Sequence, residues 1–520
     1  MSHRAPRWLG PALLTVAILA LLGGGILWWP RTVDDSFIIY RYADNFVAGE
    51  GPVFNPGERV EGYTSPSWVL LAAGAIAGGV DPVTTSKTAG LGASVLLILL
   101  LFLVLRRAGI AAWGAGLAAL LLGSSMVLQI WSVAGLETNA YALLFFAGLV
   151  VLAIGEPSPR SAALSSLLLV ASTLTRPEGL AFWALGFFLT LVASPAASGA
   201  ARSTRLRNVA AYLLPGLVLV AHSAWRIVYY GRILPNTYYA KTGGGAEMWS
   251  QGLHGLRGFV FHPAHFPWIL AAAFGAGVAV ASRRRPRLAA VMSGAVLIHL
   301  VYVVSVGDDG LRIHRFYLPV LAPMALLAGM LFDTADDEGT RRRWLRRLAV
   351  LAVAVAAGSS LWAMQSRLLP ALSGGMRDYQ EGNVKLGRHL RATRDPNTLI
   401  AVAAAGAIPY YSGLPTVDMY GLNDARIAHR PFPERRRGRL MKWDNAYVLS
   451  RRPAVIAINR GYFPAGDALA DRVQQQPGLL VAAPMDRDLF ERVAHDGSYV
   501  LRPIGLGDGS VFFVFERAGG

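Results

Sequence analysis

Ser67-Trp68-Val69-Leu70-Leu71-Ala72-Ala73-Gly74-Ala75-Ile76-Ala77-Gly78-Gly79-Val80 is apolar throughout, yet it is only about fourteen residues long. A helix rises about 1.5 Å per residue and the hydrocarbon core of a bilayer is about 30 Å thick, so a crossing takes about twenty residues. Read as a crossing, this segment would put Arg106-Arg107 outside the membrane and invert the loops that follow. Read as a helix lying at, or dipping into, the outer interface, it leaves four internal basic clusters on the cytoplasmic side. These are Arg106-Arg107, Arg202 with Arg205 and Arg207, Arg283 to Arg285 with Arg287, and Arg341 to Arg343 with Arg346-Arg347. Cytoplasmic loops carry the excess of Lys and Arg, so we take the second reading.

Outward from that segment, the chain is a succession of apolar runs. They fall at roughly 8 to 29, 84 to 105, 110 to 130, 139 to 154, 161 to 175, 180 to 194, 209 to 228, 266 to 282, 287 to 306, 316 to 332 and 348 to 366. With the amino terminus inside, that makes about eleven crossings and a carboxyl terminus outside. The 520 residues are 54% hydrophobic and only 16% charged, too apolar for a soluble protein of this length. The first run, Trp8 to Trp29, has the length of a crossing and no small-residue cleavage site, so it reads as a retained helix and not a signal peptide.

A net charge of +17 raises the question of a nucleic-acid partner. The basic residues sit in short clusters between apolar runs, without interleaved aromatics on which bases could stack, so the charge reads as topology and no nucleic acid is expected. Cysteine is absent, which excludes disulfides, thiol nucleophiles and zinc thiolates. After about residue 367 the composition turns to mixed α/β. Arg377 to Thr393 reads as an amphipathic helix, and Thr398 to Ala404, Ala454 to Asn459 and Val511 to Phe515 read as strands. Two domains are expected: a transmembrane domain over residues 1–366, with its first extracytoplasmic loop at 31–66, and a soluble extracytoplasmic domain over 367–520.

On this topology every unusual polar loop falls on the outer face. The first loop opens with Asp34-Asp35 and runs through Tyr42, Asn45, Glu61 and Tyr63. A carboxylate pair at a bilayer surface suits group transfer, since one member can take a proton from an acceptor hydroxyl while the other orients it; both together can hold a divalent cation. Asp also simply starts helices, and that reading stays open for the pair. Glu137 stands at another outer helix boundary. Arg176 and Glu178, bracketed by Pro177 and Gly179, are aimed into the interface as either a substrate contact or a surface ion pair. Trp225 to Lys241 sets Arg226, Arg232, Tyr239 and Lys241 among aromatics at the membrane edge, where the phosphate of a lipid-linked substrate would lie. Guanidinium forks hold phosphate oxygens bidentately, and a leaving phosphate needs its charge stabilised. An interfacial aromatic belt with anchoring bases is the other reading of that run. Asp308, Asp309, Arg312, His314 and Arg315 add a second acid pair and further phosphate or sugar contacts.

Together the Asp34 to Asn45 run, Phe54 to Thr64, Arg176-Pro177-Glu178-Gly179, Tyr229 to Lys241, Arg315-Phe316 with Pro319, and Ile408 to Gly413 through Asp418 to Asp424 resemble the GT-C superfamily of membrane glycosyltransferases. Within it the likeness is to the terminal arabinofuranosyltransferases of actinobacterial cell-wall synthesis, the AftB-like group. The resemblance implies a GT-C type polytopic α-helical membrane protein of about 11 transmembrane helices with a C-terminal extracytoplasmic α/β domain. It implies a polyprenyl-phosphate sugar donor such as decaprenyl-phosphoryl arabinofuranose, and a glycan or glycoprotein acceptor on the outer face of the bacterial inner membrane. It also implies Asp34 as the catalytic carboxylate with Asp35 as its partner, and brings Tyr410 and Asp418 of the soluble domain into the set of candidate site residues. No cofactor is required by this reading; a divalent cation on the acid pair is its one option.

The expected function is transfer of a sugar, with arabinofuranose as the leading choice, to a cell-envelope glycan. The rival is a transporter or flippase of a lipid-linked precursor. A transporter would keep ionisable groups near the bilayer midplane and show repeat symmetry, whereas here the acids cluster at outer helix ends and no repeat is visible.

Overall fold

Twenty apolar residues form α1 (Leu9–Trp28), and the chain then turns into α2 (Asp34–Val47), which begins with the two aspartates. The computed structural model describes residues 6–192, 199–262, 285–307, 313–332, 375–432 and 442–519, with scattered positions between 265 and 276 and between 350 and 362. The deciding segment is α3 (Pro66–Ala77), a helix of 12 residues, which spans about 18 Å and so falls short of the hydrocarbon core. Pro66 occupies its first turn, where a missing N–H costs nothing. Its Trp68 indole donates to the Gly135 carbonyl at 3.0 Å. The next helix, α4 (Pro82–Arg107), is capped by Asp81, which accepts from Thr84 N at 2.9 Å. One turn in, Lys87 Nζ donates to the carbonyl of Trp29 at 2.6 Å. The beginning of α4 therefore lies beside the end of α1, and α3 has not carried the chain across.

Arg106 and Arg107 close the 26-residue α4 at its far end. There a side-chain carbon at Gly109 would meet the Arg285 guanidinium at 3.6 Å, so two of the basic clusters share that end of the bundle. The apolar run expected at 110 to 130 is not one helix. It is α5 (Ala112–Gly123) and α6 (Met126–Ser132), bent by 61°. Gln129 fills the break, its amide donating to the carbonyls of Gly123 (2.9 Å) and Ala20 (3.1 Å). Gly123 is required here because a Cβ would meet the Ala17 carbonyl oxygen of α1 at 2.3 Å.

The chain continues through α7 (Thr138–Ile154), α8 (Pro159–Thr175), α9 (Gly179–Val192), α10 (Gly199–Tyr230), the short α11 (Asn236–Lys241), α12 (Ala246–Val260), α13 (Pro286–Val306) and α14 (Leu318–Gly329). Among the described residues, α1, α4, α10, α13 and the stretch Arg315–Phe332 are long and apolar enough to cross a membrane, and the bent α5–α6 pair adds one more. The chain is a multi-pass membrane protein. The runs expected at 266 to 282 and 348 to 366 fall largely outside the described residues, as does the boundary expected near 366.

Beyond it, α15 (Gly375–Thr393) leads into a five-stranded mixed sheet. The strands are β1 (Ile400–Val402), β2 (Thr416–Asp418), β3 (Val455–Phe463), β4 (Tyr499–Gly505) and β5 (Val511–Arg517), in the order β2-β1-β3-β5-β4. β1 runs parallel to β2 and β3, while β5 is antiparallel to β3 and β4. The helix and three of the strands match the reading from sequence. β2 is only three residues long and β4 carries Pro503, which is why neither shows a strand pattern. A six-residue helix, α16 (Ala407–Ser412), follows β1 and packs on α2 and α15.

Candidate active site

Asp34 and Asp35 are the first two residues of α2, and successive positions on a helix point about 100° apart. One helix start therefore sends the two carboxylates different ways. Asp34 turns toward the C-terminal domain, where it accepts from the amides of Gly406 (2.9 Å) and Ala407 (3.0 Å) and from the Asn383 side chain (3.3 Å). Burial outweighs these donors and lifts its pKa to about 6. Asp35 instead lines a cavity of about 220 Å³ at the junction of the helix ends. Asp34 is thus spent on backbone amides, and Asp35 is the member of the pair that lines the cavity. Among the described residues no group of three or more His, Asp or Glu is arranged to hold a metal ion.

In the cavity wall Arg176, just past the end of α8, is held between two carboxylates. It donates to Glu137 at 2.8 Å and to Glu178, and all three side chains are buried. Pro177 and Gly179 separate α8 from α9 and let Glu178 turn back onto its neighbour. The Arg176 guanidinium lies 5.3 Å from the Phe316 ring, and Tyr302 of α13 donates to Glu178 at 3.3 Å. Arg315, buried at the start of the helical stretch that includes α14, packs over Trp131 (5.6 Å) and Phe316 (5.2 Å) and lines the same cavity. Lys241 contributes from the last turn of α11, and Tyr63 from the first loop, where its hydroxyl lies 3.1 Å from that of Tyr230.

Asp35, Tyr63, Glu137, Arg176, Glu178, Lys241 and Arg315 are thus brought together, out of a longer expected set. The rest do other things. Arg226 is paired with Glu61 at 2.8 Å, so its charge is committed within the protein; burial still carries the Glu61 pKa up to about 7. Arg232 is exposed and off the cavity. Tyr239 stacks on His429 with ring centroids 4.5 Å apart. His314 sits in the left-handed region, φ 50°, with its ring among Phe259, His262, His265 and Tyr317. Tyr42 and Asn45 brace the first loop: the Tyr42 hydroxyl accepts from Gly62 N (2.8 Å), and Asn45 donates to the Val53 carbonyl (2.8 Å). Tyr410 packs on Phe37 and Tyr40, and Asp418 organises a turn by accepting from Tyr420 N and Asn423 N. Asp308, Asp309 and Arg312 lie outside the described residues.

Several lining residues escape a reading of the sequence. Thr237, Tyr238 and Thr242 flank Lys241 on α11 and just beyond it, and Leu422 reaches in from the C-terminal domain. Tyr302 is hidden in an apolar run, and its one signal is His299 a turn earlier, since polar groups inside a spanning helix are costly and face an interior. The Leu422 turn is pinned by Asn236, which donates to the carbonyls of Gly421 (2.9 Å) and Leu422 (3.0 Å).

A family model described only as a domain of unknown function (DUF8728) matches residues 374–500. The chain is 31% identical over 399 residues to the terminal β-(1→2)-arabinofuranosyltransferase of Mycobacterium tuberculosis, covering 68% of this chain and 61% of that protein. It is 26% identical over 355 residues to the protein of the same name from Corynebacterium glutamicum, covering 60% and 49%. It therefore spans less than two thirds of the length of either relative. In structure it is similar to ArnT from Cupriavidus metallidurans in the apo state, with a TM-score of 0.58, 13% identity and 97% of each chain covered. The same protein bound to undecaprenyl phosphate matches with a TM-score of 0.56, 13% identity and 98% of each chain. By sequence the chain is a homologue of the terminal β-(1→2)-arabinofuranosyltransferases, and its fold is that of the GT-C glycosyltransferases.

Proposed function

We propose that this chain is a membrane glycosyltransferase that moves a sugar, arabinofuranose first among the choices, from a polyprenyl-phosphate donor to a cell-envelope glycan. The work would be done at the outer face of the inner membrane, with the C-terminal domain on that side. The observation that carries this reading is one cavity that puts Asp35 in company with Lys241 and Arg315 at the helix ends. A carboxylate can act on the anomeric centre, and two cations can take up the charge of a departing lipid phosphate. The names of the relatives and the lipid phosphate bound by the ArnT neighbour support the same donor chemistry. The buried Arg176 between Glu137 and Glu178 is read as a rigid wall that keeps a third cation neutralised.

Asp35 serves in either stereochemical course. If a β-linked product forms from a β-configured donor, Asp35 attacks the anomeric carbon and the bond to the phosphate oxygen breaks. The glycosyl ester so formed is then opened by the acceptor hydroxyl, whose proton leaves with the freed carboxylate. If the configuration inverts, Asp35 takes the acceptor proton during a single displacement. The test is to incubate purified protein with a panel of polyprenyl-phosphate sugars and a synthetic acceptor, and to determine the linkage of the product. Wild type is expected to transfer a pentofuranose, and Asp35→Asn to lose the activity by at least about a thousandfold, the scale on which a nucleophile or base acts. Transfer at the wild-type rate by Asp35→Asn would overturn the assignment of the carboxylate. Failure with every donor would overturn the function.

A further inference from the structure

Asp34 is a partly buried carboxylate that the chemistry at the cavity does not use, and it receives three donors from one other part of the chain. Two of them are consecutive backbone amides, at Gly406 and Ala407, where the chain leaves β1 for α16. The approach is so close that a Cβ at Gly406 would lie 1.9 Å from the Asp34 carbonyl oxygen and 2.5 Å from its carboxylate. Glycine at 406 is therefore what lets the backbone reach this side chain. The contact is flanked on both sides. Thr32 N donates to the Gln380 side chain at 2.6 Å, and Arg41, two turns into α2, donates to the carbonyls of Pro409 and Leu414, the latter at 2.8 Å. These fastenings of the first turns of α2 run to residues 380–414 with Asp35 between them, while Ser36 and Tyr40 donate to the Ala134 and Gly135 carbonyls of the helical part.

We infer that Asp34 is a positioning residue: it ties the start of α2 to the C-terminal domain and so holds Asp35 toward the cavity, which makes that domain a working part of the site. The inference rests on the reading of Asp35 as the reacting carboxylate. Its physical basis is that adjacent residues on one rigid helix turn keep a fixed angle to each other, so a carboxylate anchored on one side fixes the direction of the next. A displacement of about 1 Å at a reacting group can cost about a hundredfold in rate.

Full-length protein in lipid nanodiscs, assayed with a polyprenyl-phosphate sugar and acceptor, separates the roles. Asp34→Asn and Gly406→Ala attack the same contact from its two sides, and only one of them removes a carboxylate. Both are expected to lower kcat by about ten- to a hundredfold with donor KM within about twofold, whereas Asp35→Asn falls to background. In Asp34→Asn the Gly406 and Ala407 amides are expected to exchange hydrogen faster than in wild type. If Asp34→Asn is as inactive as Asp35→Asn while Gly406→Ala keeps wild-type kcat, Asp34 is itself the reacting group and the inference fails. It also fails if Asp34→Asn turns over at the wild-type rate. A wild type that uses no donor overturns the function instead, and exchange alone then decides the fastening: unchanged protection of the two amides in Asp34→Asn sinks it.

Discussion

A guanidinium buried between two carboxylates is stable only as a set. Arg176 is shared by Glu137 and Glu178, and removing it leaves two largely buried carboxylates without their cation. Arg176→Met is expected to cost about 3–5 kcal/mol, read as a large fall in the thermal midpoint of the detergent-purified protein. Arg176→Lys keeps the charge without the fork and should fall between the two; equal midpoints for all three proteins would show that the set is not holding the wall. Asp418 makes the opposite kind of prediction, because burial raises its pKa to about 6 in spite of the amides it accepts from. A raised acid holds its proton in the folded chain after the unfolded chain has released it at about pH 4. Its contribution to stability is complete below that pH and is lost as pH rises through about 6, a change on the order of 3 kcal/mol. The gap in thermal midpoint between wild type and Asp418→Asn is therefore expected to shift against wild type from pH 4 to 6.5. A shift the other way would mean that the hydrogen bonds outweigh burial.

The elements themselves were legible to the degree that length and period fix them. Fourteen apolar residues are too few to cross, and α3 indeed returns the chain to the end it left, with Lys87 on the Trp29 carbonyl as the witness. The break between α5 and α6 lay hidden because a continuous apolar run looks the same straight or bent; the one sign was Gln129, a polar side chain that an unbroken spanning helix has no use for. The helical period of α2 also parts the two aspartates, since neighbours on one turn cannot share a direction. Further along α2, Arg41 is 5% exposed and donates to the Phe54, Pro409 and Leu414 carbonyls and to Asn55. Arg41→Met is expected to lower stability by at least about 2 kcal/mol, because each acceptor left unpaired costs about 1–3 kcal/mol. Unfolding in a denaturant series would show this, and a change below about 0.5 kcal/mol would mean that water replaces the lost donors.

At the scale of the molecule, the cavity draws on residues from Asp35 to Leu422, and beside Thr237, Tyr238, Thr242 and Tyr302 the sequence concealed the share belonging to the C-terminal domain. That domain holds the first loop through backbone groups at Gly406, Ala407, Pro409, Leu414 and Thr416, and α11 through the Gly421 and Leu422 carbonyls, and backbone amides and carbonyls carry no residue signature. Loop and acid pair could therefore be read from side chains, while the surface that organises them could not. Without the domain, Asp34, Arg41, Asn55 and Asn236 would all lose partners at once, at about 1–3 kcal/mol for each group left buried and unpaired. The first loop would then have to give up its shape to let water in. A chain ending at residue 366 is accordingly expected to insert in the membrane and yet transfer no sugar, and co-expression of residues 367–520 in the same compartment should restore part of the activity. Transfer by the shortened chain alone at more than about a tenth of the full-length rate would show that the helices hold Asp35 in place unaided.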